Sequence, residues 1–159
     1  MERATFAAGC FWCLEDAVCQ LEGVIDTIVG YTGGSLANPT YQDICSGITG
    51  HAEAVRVSYD PDSICYEQLL DVFWQSHDPT SLNRQGANVG PQYRSAIFYS
   101  NHYQKVSAIE SRRHRQLQLK NSRLIITEIV PEGVFYPAEE YHQNYFAKRK
   151  QTKYHLLTR

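Results

Sequence analysis

The sequence predicts an α/β protein in which helices pack against a mixed sheet, and three observations carry that expectation. Strand-like runs alternate with segments of helical period from one end of the chain to the other. With 43% hydrophobic residues in 159, the chain can close one sizeable core. No repeat, low-complexity tract or Pro/Gly/Ser-rich linker interrupts it, so residues 1–159 read as a single domain.

The apolar run "RATFAAG" predicts a first strand ending at a glycine. "FWCLEDAVCQLEG" carries Phe11, Leu14, Val18 and Leu21 at helical spacing before Gly23 stops it, so Cys10 falls at a strand-to-helix junction. "VIDTIVGY" is a second strand, "TGGSLANPT" a loop, and "AEAVRVSYD" a cleanly alternating third strand. "CYEQLLDVFWQSH" predicts a helix with Leu69, Leu70, Phe73 and Trp74 facing inward. The following "DPTSLNRQGANVGPQY" has too much turn chemistry for regular structure and is long enough to suspect a functional loop. Strand "RSAIFYS", a helix over about 101–120, strand "RLIITEIV" and a short last helix in "PAEEYHQNYFAKR" complete the alternation.

Composition excludes several classes of function. Lys and Arg number 15 against 17 Asp and Glu, which leaves no basic field for nucleic acid. The cluster Arg112–Arg115 reads as the exposed face of a helix rather than a phosphate site. The N-terminal apolar run is too short for a signal peptide or a membrane span, so a soluble, cytoplasmic protein is expected. Five cysteines, Cys10, Cys13, Cys19, Cys45 and Cys65, are an odd number in a chain long enough to need no staples, so reduced thiols are expected.

The stretch "GCFWCLE" concentrates the chemistry. A helix N-terminus gathers unpaired N–H groups and the positive end of the dipole, which predicts a stabilised Cys10 thiolate and a nucleophile. Phe11 and Trp12 can hardly both enter the core from one helical turn, so at least one is expected to line a pocket beside the sulfur; the bland reading makes both rings core and Cys10 inert. Cys10 and Cys13 have the spacing of half a zinc site, but no second pair follows and His51 stands alone after Cys45. A thioredoxin-like disulfide exchanger is the competing reading, although the segments beyond Cys13 do not follow its plan. In "GHAEAVRVSYD", His51, Glu53 and Val55 share one side of the strand, where a partly buried Glu53 carboxyl would have a raised pKa and could donate a proton.

Four motifs, "GCFWCLE", "NPTYQDICSGITGHAEAVRVSYD", "SHDPTSLNRQGANVGPQYRSAIFY" and "FYPAEEYHQNY", together resemble the A-type peptide methionine sulfoxide reductases, in the family's order and from the first strand to about Tyr145. The resemblance implies a two-layer α/β sandwich around a ferredoxin-like plait, and a substrate that is the S epimer of methionine sulfoxide, free or in proteins. It makes Cys10 the nucleophile, Phe11 and Trp12 the holders of the substrate's ε-methyl group, and Glu53 the acid that protonates the sulfoxide oxygen. Tyr41 and Tyr93 match the tyrosines that hydrogen-bond this oxygen, Asp78 an active-site aspartate and Tyr141 a rim residue; the bland alternatives are packing tyrosines and a turn cap at Asp78. Attack would leave a sulfenic acid on Cys10. Many members resolve it with a cysteine in a glycine-rich C-terminal tail, whereas here no cysteine follows Cys65. Cys13, Cys19, Cys45 and Cys65 therefore stand as possible resolving thiols, beside direct reduction by glutathione, glutaredoxin or thioredoxin, which is slightly favoured. No metal or other cofactor and no membrane partner is implied, and a monomer is expected. A thiol sensor or a binding module that keeps the pocket is the alternative from another functional class.

Overall fold

The computed structural model describes residues 1–157, with side chains to residue 151. In chain order the elements are β1 (Glu2–Ala8), α1 (Phe11–Val18), β2 (Val24–Thr32), α2 (Tyr41–Cys45), β3 (Ala52–Tyr59), α3 (Tyr66–Gln75), β4 (Arg84–Gln85), β5 (Asn88–Val89), β6 (Ser95–Tyr99), α4 (His102–Gln118), β7 (Glu128–Pro131), β8 (Phe135–Pro137) and α5 (Tyr145–Leu157). Six strands form one mixed sheet in the order β7-β6-β1-β3-β2-β8, in which only the β6–β7 pair is parallel. The expected α/β architecture is thus present.

Alternation along the strands separates the two faces. Phe6, Val55, Val57 and Ile97 join Leu14, Val18, Leu69, Leu70 and Phe73 in the main core, while Ala7, Ala54, Ala96 and Phe98 form a smaller cluster on the opposite face. Phe6 stacks on Tyr66 and Phe73, with centroids 6.0 and 5.4 Å away, locking α3 over the centre of the sheet. Each such fully buried apolar side chain contributes roughly 1.5–3 kcal/mol.

Five segments differ from the sequence-based expectation, each for a local reason. The loop after α3 holds a two-residue hairpin, β4–β5, and a 3-10 turn at Pro91–Tyr93. His77, whose ring bridges the Phe73 carbonyl and the Ser95 hydroxyl at 2.8 and 2.7 Å, anchors its start. The predicted strand 123–130 shrinks to β7, because the side chain of Gln116 takes the Ile125 N–H and the Arg123 carbonyl while Ile126 N–H bonds Pro79. The last helix starts only at Tyr145. Ahead of it, the Gln143 amide bonds both the N–H and the carbonyl of Val29, each at 2.9 Å, so this segment runs as an addition to the edge of β2. Strand β8 and the five-residue α2 carry too few residues for a periodic signal.

Candidate active site

Cys10 occupies the N-cap of α1 in an extended conformation, φ −61° and ψ 120°, and its carbonyl accepts the N–H groups of Cys13 at 3.2 Å and Leu14 at 3.4 Å. The turn into it needs Gly9, whose φ is +82° and where a Cβ would meet Gln85 Cγ at 2.6 Å. Gln85 in turn bonds the Asp78 N–H and carbonyl, so the β4–β5 hairpin is pressed against the turn that leads into Cys10. The expectation of a stabilised thiolate is corrected here. Burial pushes the Cys10 thiol up to about 11, outweighing the N–H groups of Trp12 and Cys13 that favour the thiolate, and the charges of Cys13 and Glu53 push in the same direction as burial.

Glu53 lies on β3 opposite Tyr31 of β2 and is 3% exposed. Its Oε2 accepts the Phe11 N–H at 3.2 Å, so the carboxyl serves one of the unpaired donors at the start of α1. Burial pushes Glu53 up to about 7, and this hydrogen bond offsets the shift only in part. The bond joins the helix that Cys10 caps to the strand that carries Glu53 across 42 residues of sequence.

Cys10, Phe11, Trp12, Tyr41, Glu53, Asn88 and Tyr93 line one cleft of about 80 Å³. The sequence singled out six of these; Asn88 escaped it because a polar residue in a turn-rich loop carries no distinguishing pattern. Phe11 is buried and belongs to the core as well as the cleft wall, and Trp12 is half-buried. Tyr41 begins α2, fixed there by the reciprocal Thr40–Asp43 capping box. Its hydroxyl is pushed up by burial and by the hydrogen bond with the Cys45 thiol. Burial and the charge of Glu53 push up the hydroxyl of Tyr93 likewise.

Asp78 and Tyr141 do not line the cleft. Asp78 Oδ1 accepts the N–H and hydroxyl of Thr80, and its other oxygen faces Arg123 at 3.5 Å, so it caps a turn. Tyr141 is 60% exposed and donates to Glu139 at 3.3 Å. All five cysteines are free; Cys10 is partly buried and the other four are exposed. Cys19 donates to the Asp16 carbonyl, and Cys65 is the N-cap of α3. Among the described residues no group of three His, Cys, Asp or Glu side chains could hold a metal ion, and no helix is long and apolar enough to cross a membrane.

Sequence reasoning missed Glu139 and His142 in the segment after β8. Glu139 accepts the Tyr31 hydroxyl at 3.0 Å on one oxygen and the Tyr41 N–H at 3.0 Å on the other. Burial tends to raise its carboxyl, but these bonds and that from Tyr141 hold it below the usual range. His142, 1% exposed, accepts the Trp12 indole N–H on Nδ1 at 3.2 Å, and Tyr145 stacks on Trp12 at 3.8 Å. Only the motif "AEEYHQNY" signalled the segment, and nothing in the order of its residues says which side chain holds which. Replacing Glu139 by alanine is expected to lower kcat/KM roughly ten- to thirtyfold by freeing Tyr41. Steady-state kinetics should show the loss mainly in KM, with the rate of Cys10 alkylation by iodoacetamide unchanged.

Residues 2–159 match the family model described as peptide methionine sulfoxide reductase. The chain is 55% identical over 156 residues to the peptide methionine sulfoxide reductase MsrA of Methanothermobacter thermautotrophicus, covering 98% of this chain and 92% of that one. It resembles the structure of methionine sulfoxide reductase A of Corynebacterium diphtheriae, with TM-score 0.88 and 38% identity over 92% of this chain and 74% of that one. It also resembles reduced Mxr1 from Saccharomyces cerevisiae, with TM-score 0.87 and 35% identity over 94% of this chain and 86% of that one. A structure of Mxr1 in complex with Trx2 matches with TM-score 0.64 and 29% identity over 91% of this chain and 84% of that one.

Proposed function

This chain belongs to the peptide methionine sulfoxide reductase family and is an oxidoreductase that reduces methionine sulfoxide, and we propose that it acts on the S epimer, free or in proteins, through a sulfenic acid on Cys10. The observation that carries this reading is a carboxyl only 3% exposed in the same cleft as a thiol. The substrate's methyl group lies against Phe11 and Trp12, and its oxygen takes hydrogen bonds from Tyr41 and Tyr93 while Glu53 supplies the proton. The Cys10 sulfur attacks the sulfoxide sulfur. Overall the sulfoxide gains two electrons and leaves as methionine, and the oxygen ends on Cys10 as Cys–SOH.

A second methionine can form only after a thiol reductant removes that oxygen as water. Thioredoxin is the reductant we favour, because Mxr1 has been solved with Trx2; glutaredoxin and glutathione are the alternatives. Five free thiols agree with a reducing cytoplasm, and the chain is taken to work as one catalytic domain and a monomer in the repair of oxidised proteins. Asp78 and Tyr141 act at a distance, through the hairpin and through Glu139.

The test is a single turnover without reductant, with each sulfoxide epimer supplied separately. We expect one methionine per chain from the S epimer and none above background from the R epimer. Equal yields from both epimers would sink the assignment of stereochemistry, and substrate binding without any methionine would favour the binding-module reading.

A further inference from the structure

Deepening that reading, the thiol best placed to resolve the Cys10 sulfenic acid is the one a single helical turn away. Cys10 is the N-cap of α1 and Cys13 its third helical residue, and the 3.2 Å bond from Cys13 N–H to the Cys10 carbonyl closes the turn between them. Side chains at these two positions are the pair that meet in a capping box, where each reaches toward the other's backbone. A turn closed in this way holds its end Cα atoms under about 7 Å apart, overlapping the span of about 4.4–6.8 Å that a disulfide needs. Cys10 makes no side-chain cap bond, and the N–H groups that do face its sulfur belong to Trp12 and Cys13 of the same turn. Cys13 is also the cysteine whose charge bears most on Cys10.

The other thiols are differently engaged. Cys45 sits at the far end of α2, where its thiol bears on the Tyr41 hydroxyl. Cys19 bonds the Asp16 carbonyl at the opposite end of α1, and Cys65 caps α3. We propose that Cys13 is the resolving cysteine, and that turnover passes through a Cys10–Cys13 disulfide at the N-terminus of α1. The Cys13 sulfur attacks the Cys10 sulfenic sulfur, the S–O bond breaks, and the hydroxide leaves with the Cys13 proton as water. Cys13 is oxidised and Cys10 reduced by one level each, with no further oxidant. Cys13 is exposed and Cys10 partly buried, so a dithiol reductant of the thioredoxin type attacks the Cys13 sulfur. Cys10 is then the leaving group and returns as the reduced thiol.

The proposal rests on Cys10 chemistry, and one experiment separates the two. The full chain and its Cys13→Ser and Cys45→Ser variants are given methionine-S-sulfoxide with dimedone and no reductant; methionine is counted and the peptides are mapped by mass. The unsubstituted chain and Cys45→Ser should each release one methionine and carry a Cys10–Cys13 disulfide without dimedone. Cys13→Ser should release one methionine, carry dimedone on Cys10, and lose at least ~tenfold of its thioredoxin-driven steady-state rate. A methionine burst that leaves Cys13 free in the unsubstituted chain overturns the resolving role alone. No burst in any of the three proteins overturns the Cys10 chemistry as well.

Discussion

Serine in place of Cys10 is expected to remove turnover altogether, a loss on the order of 10⁴-fold or more. A hydroxyl is a far weaker nucleophile toward sulfoxide sulfur, and it has no sulfenic acid level to reach. The cleft should survive the change, since Cys10 contributes no side-chain cap and the Glu53 bond to the Phe11 N–H does not involve it. Calorimetric titration with methionine-S-sulfoxide should therefore show binding without methionine release, and turnover by the serine variant would remove the nucleophile from the mechanism.

Glutamine in place of Glu53 is expected to lower kcat/KM by 10²–10⁴, the usual range for loss of a positioned acid. Its signature lies in the pH profile. Competence needs a thiolate and a carboxylic acid together, one proton shared over the pair. With Glu53 near 7 and Cys10 near 11, the one-proton state dominates between those values, chiefly as carboxylate and thiol, and the competent thiolate–acid tautomer is a small but pH-independent fraction of it. Below about 7 both groups are protonated and kcat/KM should fall about tenfold per unit; near 11 it should fall again as both protons are lost. The glutamine variant should lose the inflection near 7. A profile with the same inflection in the variant would place the titrating group elsewhere.

The same substitution should act on stability with the opposite sign. Burial raises the Glu53 carboxyl from its ordinary 4.5 to about 7, so the folded state binds this proton more tightly than the unfolded chain does. Its contribution is therefore most favourable below the ordinary pKa and is lost as the pH rises through about 7. The variant should melt higher than the parent at pH 8, by on the order of 1–3 kcal/mol, while being the poorer enzyme.

How much of this was legible in the sequence follows from how local each signal is. The strand ending at Gly9, the helix behind Cys10 and the alternation around Glu53 are short-range patterns, and they placed Cys10 and Glu53 at the positions on their elements that the structure shows. The ionisation of Cys10 was misjudged because helix-terminal N–H groups show in sequence, whereas burial beneath the Gln85 hairpin does not. Asp78 shares a motif with the site, yet its carboxyl is held by Thr80 and Arg123, partners that motif resemblance cannot weigh. Glu139 and His142 were missed because their partners lie 98 to 130 residues away, beyond any periodicity.

That separation has a consequence for the birth of the molecule. Cys10 leaves the ribosome while His142, which takes the hydrogen bond of Trp12, is still untranslated, 130 residues behind its partner. At ordinary rates of synthesis the gap is on the order of ten seconds. Through that interval the nascent chain carries Cys10 and Trp12 without the side chains of His142 and Tyr145 that hold the indole in place. The onset of activity during synthesis then times the docking of this later segment onto Trp12 rather than the emergence of Cys10.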